Sequence, residues 1–169
     1  MPIQYLHRIA ANELLASLPG AALERILPSL TLVQLASGAT LYEAGARQAH
    51  VYFPLTSTVL LSYMGNGRAE EISLVGAEGV IGIPLFLNGS ISPCSAVVRD
   101  AGSAYRLDAA QLTGEFNRPG PALRLFLAYA RGLTAQMQMT ANCTSSESFD
   151  QALCANCGYA NACPGVGQQ

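Results

Sequence analysis

Four cysteines near the end of the chain are the residues best suited to chemistry. Cys143, Cys154, Cys157 and Cys163 follow the spacing Cys-x10-Cys-x2-Cys-x5-Cys. Four thiolates can hold tetrahedral zinc or an iron–sulfur cluster, which would make this segment a metal or redox sensor. A single Cys-x2-Cys pair is a weak signal, however, and the intervals to its partners are not those of a zinc ribbon. The text CANCGYANACPGVGQQ is low in charge and rich in small residues, and apolar periodicity stops at Leu153. The expectation is therefore an irregular tail with no bound cofactor, and zinc or an iron–sulfur cluster is the competing reading. The fifth cysteine, Cys94, stands alone in a strand-like stretch, where a thiol more often packs than reacts.

No pattern of an enzyme is present. Glu70 and Glu71 are adjacent in a strand pattern, so they face opposite ways and cannot work as an acid–base pair. No nucleophile stands at useful spacing from a base, and no phosphate loop occurs. His7 is terminal, and His50 lies beside a turn and is expected to be exposed. All nine basic residues are arginine, scattered from Arg8 to Arg131 without a basic stripe, against a net charge of −2. They read as solvated surface charge, and a solitary nucleic-acid binder would concentrate them.

Half of the 169 residues are hydrophobic, enough to bury a core without disulfides. The N-terminus, MPIQYLHRIAAN, lacks the apolar centre of a signal peptide, and the longest apolar run, Val80 to Leu87, is far short of a membrane helix. A cytoplasmic protein without membrane contact is expected, its cysteines reduced or ligating.

The elements that must hold these residues are legible in order. Asn12 caps a short helix from Glu13 to Ser17, and a second runs from about Ala22 to Leu27 before Pro28 breaks it. The central stretch, His50 to Gly82, alternates apolar residues at Val51, Phe53 and Leu55 and again at Val59, Leu61 and Tyr63, the period of half-buried strands. Tyr52 and Phe53 read as strand core. Asn66-Gly67 suits a two-residue hairpin turn, and Gly38 and Gly45 suit tight corners. Strands resume at Cys94 to Arg99 and Ala104 to Leu107. Asp108 caps a helix to Phe116, and Pro121 opens a long helix. Along it Leu123, Phe126, Ala130, Leu133, Met137 and Thr140 recur at alternating steps of three and four. That is a heptad seam, the pattern of two helices packing side by side; a helix lying on its own domain is the competing reading, and Leu125 and Leu127, off the seam, would pack back onto the preceding strands.

Several spaced motifs resemble one family. Asn-x-Leu-Leu-x-x-Leu-Pro at Asn12 to Pro19, Gly38 to Gly45, Tyr52-Phe53-Pro54, Gly-x-Glu-Gly at Gly76 to Gly79 and the Gly82 turn are similar to the sensory domain of Crp/Fnr-type transcription regulators. The similarity runs from about Asn12 to about Cys143. It implies a mainly β fold with flanking helices (α+β): a double-stranded β-helix jelly roll of the cyclic-nucleotide-binding type, with short N-terminal helices and a long C-terminal dimerisation helix. The expected division is 1–29 short helices, 30–107 β-roll effector domain, 108–143 helical segment and 144–169 tail.

The resemblance also implies where a ligand would sit. In the family a Gly-Glu-Leu and, about ten residues on, an Arg-Ser-Ala or Arg-Thr-Ala take the ribose hydroxyl and the cyclic phosphate. The matching positions here are Gly82-Ile83-Pro84 and Pro93-Cys94-Ser95. Gly82 fits, but Ile83 replaces the acid and Pro93 replaces the arginine. Charge-assisted hydrogen bonds are worth about 1.5–3 kcal/mol each, so their loss costs on the order of 5 kcal/mol, more than three decades of affinity. Arg99 comes several residues too late to substitute simply. The roll is therefore expected not to bind cAMP or cGMP in the family's usual way. A vestigial pocket, or one for a less charged molecule, is expected behind Ile83, Pro84, Pro93 and Cys94.

After Cys143 the family pattern ends. The residues from Thr144 to Gln169 are too few for the winged helix-turn-helix that would follow, though Phe149 to Leu153 faintly resembles its opening. The final Cys-x2-Cys-x5-Cys is similar to the cluster spacing of WhiB-like proteins. A frameshifted or truncated end is the favoured expectation. The functional expectation is a homodimeric sensory domain with an unknown small-molecule effector, which reaches DNA only through a missing or separate helix-turn-helix.

Overall fold

The structure is a computed structural model and describes residues 9–65, 68–82 and 92–143. Two short helices, α1 (Glu13–Ala16) and α2 (Gly20–Ile26), lead through a 3-10 turn (Leu27–Ser29) into seven strands. These are β1 (Thr31–Leu35), β2 (Thr40–Tyr42), β3 (His50–Pro54), β4 (Thr58–Gly65), β5 (Arg68–Val75), β6 (Cys94–Asp100) and β7 (Gly102–Asp108). Helices α3 (Ala109–Phe116) and α4 (Pro121–Cys143) follow. The caps are those expected: Asn12 Oδ1 accepts from Leu15 N, and Asp108 Oδ1 accepts from Ala110 N, both at 2.9 Å.

The strands form two antiparallel sheets, β1-β7-β3 and β2-β6-β4-β5. Consecutive strands repeatedly join different sheets, as a jelly roll requires. The architecture is mainly β and jelly-roll-like, with flanking helices. Gly38 and Gly45 turn two corners at φ 80°. β4 and β5 form a hairpin in which Gly65 pairs with Arg68, and Asn66 and Gly67 lie outside the described residues.

The pleat decides which side chains meet inside. Val51 and Phe53 of β3 are fully buried and oppose Leu107 and Tyr105 of β7. In the other sheet one buried row crosses four strands through Tyr42, Ala96, Leu61 and Ser73, and the next runs through Val98, Val59 and Val75. Both sheets and the helices share a single apolar cluster.

The long helix departs from expectation. Phe126, Ala130, Leu133 and Thr140 are buried within the single chain, and Leu123 and Met137 are partly buried. The seam is thus the inner face of α4, laid on β5 and α3, and does not wait for a partner. Heptad spacing and the apolar stripe of a helix lying on its own domain differ by little over five turns, so the spacing alone does not separate the two. Leu125 packs inward, whereas Leu127 and Met139 stay exposed at 44% and 53%. Among the described residues no helix is long and apolar enough to cross a membrane.

Candidate functional site

The turn from Gly76 to Gly82 is where the fold converges. Asn12, fully buried, donates from Nδ2 to the carbonyls of Pro54 and Gly79, each at 2.9 Å. Glu13 N donates to Ala77 O at 2.8 Å. On the other side Tyr129 of α4 lays its hydroxyl on Val80, accepting from its N–H at 3.2 Å and donating to its carbonyl at 3.4 Å. Tyr129 is largely desolvated there, which holds its phenol protonated well above the ordinary range. Ile81 then pairs with Tyr52 through two backbone hydrogen bonds, Tyr52 N to Ile81 O at 3.1 Å and Ile81 N to Tyr52 O at 2.8 Å. One turn thereby touches the N-terminal helix, β3 and the long helix.

Gly82 closes this turn at φ +113°, a conformation that favours glycine. It is buried, and a Cβ there would stand 2.8 Å from Val51 Cγ1 and 3.5 Å from Gln48 Oε1. Of the sequence-derived pocket residues, Ile83 and Pro84 lie outside the described residues. The chain returns at Ser92, fully buried, whose carbonyl accepts from Gly45 N at 2.8 Å and whose Oγ accepts from Cys94 N at 3.2 Å. Pro93 is exposed. Cys94 is half-buried on the inward face of β6, and burial pushes its thiol up. Ser95 points the other way and shares a hydrogen bond with Ser62 at 2.8 Å. Gly82, Ser92 and Cys94 therefore lie at one end of the roll, but Ser95 does not line its interior.

Three residues that sequence reasoning passed over complete this end. Tyr42, Gln48 and Ser92 are each at least nine-tenths buried. The Tyr42 hydroxyl lies near Ser92, Gln48 and Cys94, and desolvation pushes its pKa up to about 12. The site's polar groups are an amide, a phenol, a hydroxyl and a thiol, all uncharged near neutrality. Arg99 belongs with Ser95 and Val97 on the outward face of β6, exposed and away from them. Arg47, beside Gln48 in sequence, is exposed as well. Gln48 carries no sequence signal, because a glutamine in a polar loop looks like solvent-facing linker.

Elsewhere, Arg25 of α2 grips Glu115 of α3 with two hydrogen bonds of 2.6 and 2.7 Å. Glu115 is buried, and Arg118 approaches it at 3.5 Å. Arg25 is exposed, as expected of surface charge, and also ties two helices together. Cys143 ends α4, while Cys154, Cys157 and Cys163 lie outside the described residues. No group of three metal-ligating residues occurs among the described ones.

With this geometry in place, the chain can be set beside known proteins. Residues 32–118, just over half of it, match the model of a family described as the cyclic nucleotide-binding domain. No curated protein matches. Among solved structures, the sensor domain of the transcriptional regulator DNR from Pseudomonas aeruginosa is similar at TM-score 0.60 and 16% identity, covering 88% of this chain and 99% of that one. The c-di-GMP-responsive global regulator CLP of Xanthomonas campestris is similar at TM-score 0.65 and 11% identity, over 89% of this chain and 76% of that one. The regulatory domain of Toxoplasma gondii PKA, solved with cAMP, is similar at TM-score 0.57 and 14% identity, over 66% of this chain. The chain spans only 42% of that protein's length. At such identities the likeness establishes the fold.

Proposed function

The chain belongs to the cyclic nucleotide-binding domain family, and on that premise we propose that it is the sensory roll of a Crp/Fnr-type transcription regulator whose effector is an uncharged small molecule and not cAMP. The observation that carries this reading is the neutrality of the roll's ligand end. Gly82 retains the backbone turn, but Tyr42, Gln48, Ser92 and Cys94 offer a cyclic phosphate no cation. A buried phosphate without one loses the Coulombic and charge-assisted terms that repay its desolvation.

The module acts by binding and carries out no catalysis. It works in the cytoplasm as a homodimer, and DNA contact belongs to a separate helix-turn-helix. The dimer uses the outer face of α4, where exposed Leu127 and Met139 flank Ala128, Arg131 and Ala135. These positions fall together at about 100° per residue, opposite the buried stripe. Tyr129 supports coupling between the two functions, because it ties that helix to the turn that leads into Gly82.

Isothermal titration calorimetry with cAMP tests the reading. The expected result is no saturable heat in the micromolar range. A micromolar dissociation constant would overturn it.

A further inference from the structure

The long helix does not lie flush on the roll. Between α4 and the end of β5 is a cleft of about 160 Å³. Leu74 and Val75 of β5 and Leu133 of α4 give it apolar walls, and Tyr129 and Gln136 add neutral polar side chains. A dry cavity of about 150 Å³ holds a molecule the size of benzene, so there is room here for one six-membered ring. Gly132 also lines the cleft. It stands in the middle of α4, where glycine destabilises a helix relative to alanine. Neither usual reason for a glycine applies, since its φ is not positive and a Cβ there would meet nothing within 4 Å. Its bare backbone leaves the space unfilled.

Among the described residues that line the cleft, Glu78 alone carries a charge. Gly76 N donates to its Oε1 at 2.8 Å, which fixes the carboxylate on the turn. Burial pushes the Tyr129 phenol up and the Glu78 carboxylate adds to the shift, so the two groups share one rim. The Tyr129 hydroxyl is engaged with Val80, which leaves the carboxylate as the acceptor that a ligand would meet. We propose that this cleft binds a compact primary amine, with an apolar body about one ring in size between β5 and α4 and its ammonium group at Glu78. Glu78 is exposed, so the ammonium keeps part of its hydration and avoids the cost of burying a charge. None of the described lining residues belongs to the Gly82, Ser92 and Cys94 end, so this is a second site that does not depend on the effector chemistry proposed above. An occupant touches Tyr129, whose hydroxyl holds Val80, and binding is therefore felt at the turn.

Benzylamine and its neutral counterpart benzyl alcohol, titrated into the full chain and followed by 1H–15N NMR, test this. The backbone amides of Leu74, Val80 and Gly132 are expected to shift saturably at millimolar benzylamine. Unmoved signals at these three positions would overturn the proposal. Glu78→Gln is expected to weaken benzylamine about three-fold, the worth of a solvent-exposed ion pair, and to leave benzyl alcohol unchanged. Equal benzylamine affinity in this variant, or an equal loss for both probes, would overturn the assigned role of the carboxylate and with it the amine. Gly132→Leu fills the space from the helix side. It is expected to abolish binding of both probes while its urea midpoint stays at or above that of the wild type. Undiminished binding, or a lower midpoint, would show that the cleft is not the open space described and would equally overturn the proposal.

Discussion

Gly79→Ala isolates the contact that joins the long helix to the roll. A Cβ at this position would overlap the Tyr129 hydroxyl and stand 2.6 Å from its Cζ and 2.9 Å from its Cε2. Gly79 does not have positive φ, so the cost is steric and not conformational. Either the turn shifts or Tyr129 leaves. Overpacking of this kind costs about 1–3 kcal/mol. Displacing Tyr129 also loses its two hydrogen bonds to Val80, each worth about 0.5–1.5 kcal/mol net. The variant should therefore unfold in urea with a stability about 2–4 kcal/mol lower. A double-mutant cycle adds the mechanism. Tyr129→Phe should not relieve Gly79→Ala, because the ring carbons still clash. Tyr129→Leu should relieve it, with a coupling of at least about 1 kcal/mol. If Gly79→Ala lies within about 0.5 kcal/mol of the wild type, or is additive with Tyr129→Leu, the latch is not what holds the helix.

Three further outcomes follow from the same contacts. Asn12→Ala removes a helix cap and leaves the carbonyls of Pro54 and Gly79 unpaired, so a loss on the order of 3 kcal/mol is expected in urea unfolding. The hydrogen bonds and charge of Arg25 hold the Glu115 carboxyl below its ordinary value. A depressed folded-state value adds stability that is present above the unfolded value of about 4.3 and is lost as pH falls through the folded one. Glu115→Gln should accordingly flatten the acid limb of stability against pH below about 4.5, and an unchanged limb would exclude this pair as its source. Leu127→Asp should turn a dimer into a monomer in sedimentation with little change in melting temperature, whereas Leu133→Asp should unfold the chain, since Leu133 is 8% exposed and Leu127 is 44%.

Local chemistry was readable from sequence wherever one residue type has one job. Asn12 and Asp108 cap the helices assigned to them, Gly38, Gly45 and Gly82 take positive φ, and period-2 alternation placed Val51, Phe53, Val59 and Leu61 inside. What was not readable depends on long-range contact. The stripe on α4 specified an apolar face but not what covers it, and its own β5 does. Arg25 and Glu115 lie 90 residues apart, so neither announced the other. Gln48 and Tyr42 come together only where the roll closes them against Ser92. The resemblance pointed to Gly82, Pro93 and Cys94, whereas the buried polar side chains near them, Tyr42, Gln48 and Ser92, belong to other strands and loops.

The central claim is that this roll has kept the family's shape and changed its ligand chemistry. Thermal unfolding with and without 1 mM cAMP tests it most directly. A ligand at 1 mM with a dissociation constant of 1 μM stabilises by about 4.1 kcal/mol, and one at 1 mM by about 0.4 kcal/mol. For a domain of this size the first is a rise of about 10 °C and the second about 1–2 °C. A shift of no more than about 2 °C is the result this account expects. A rise near 10 °C would contradict it.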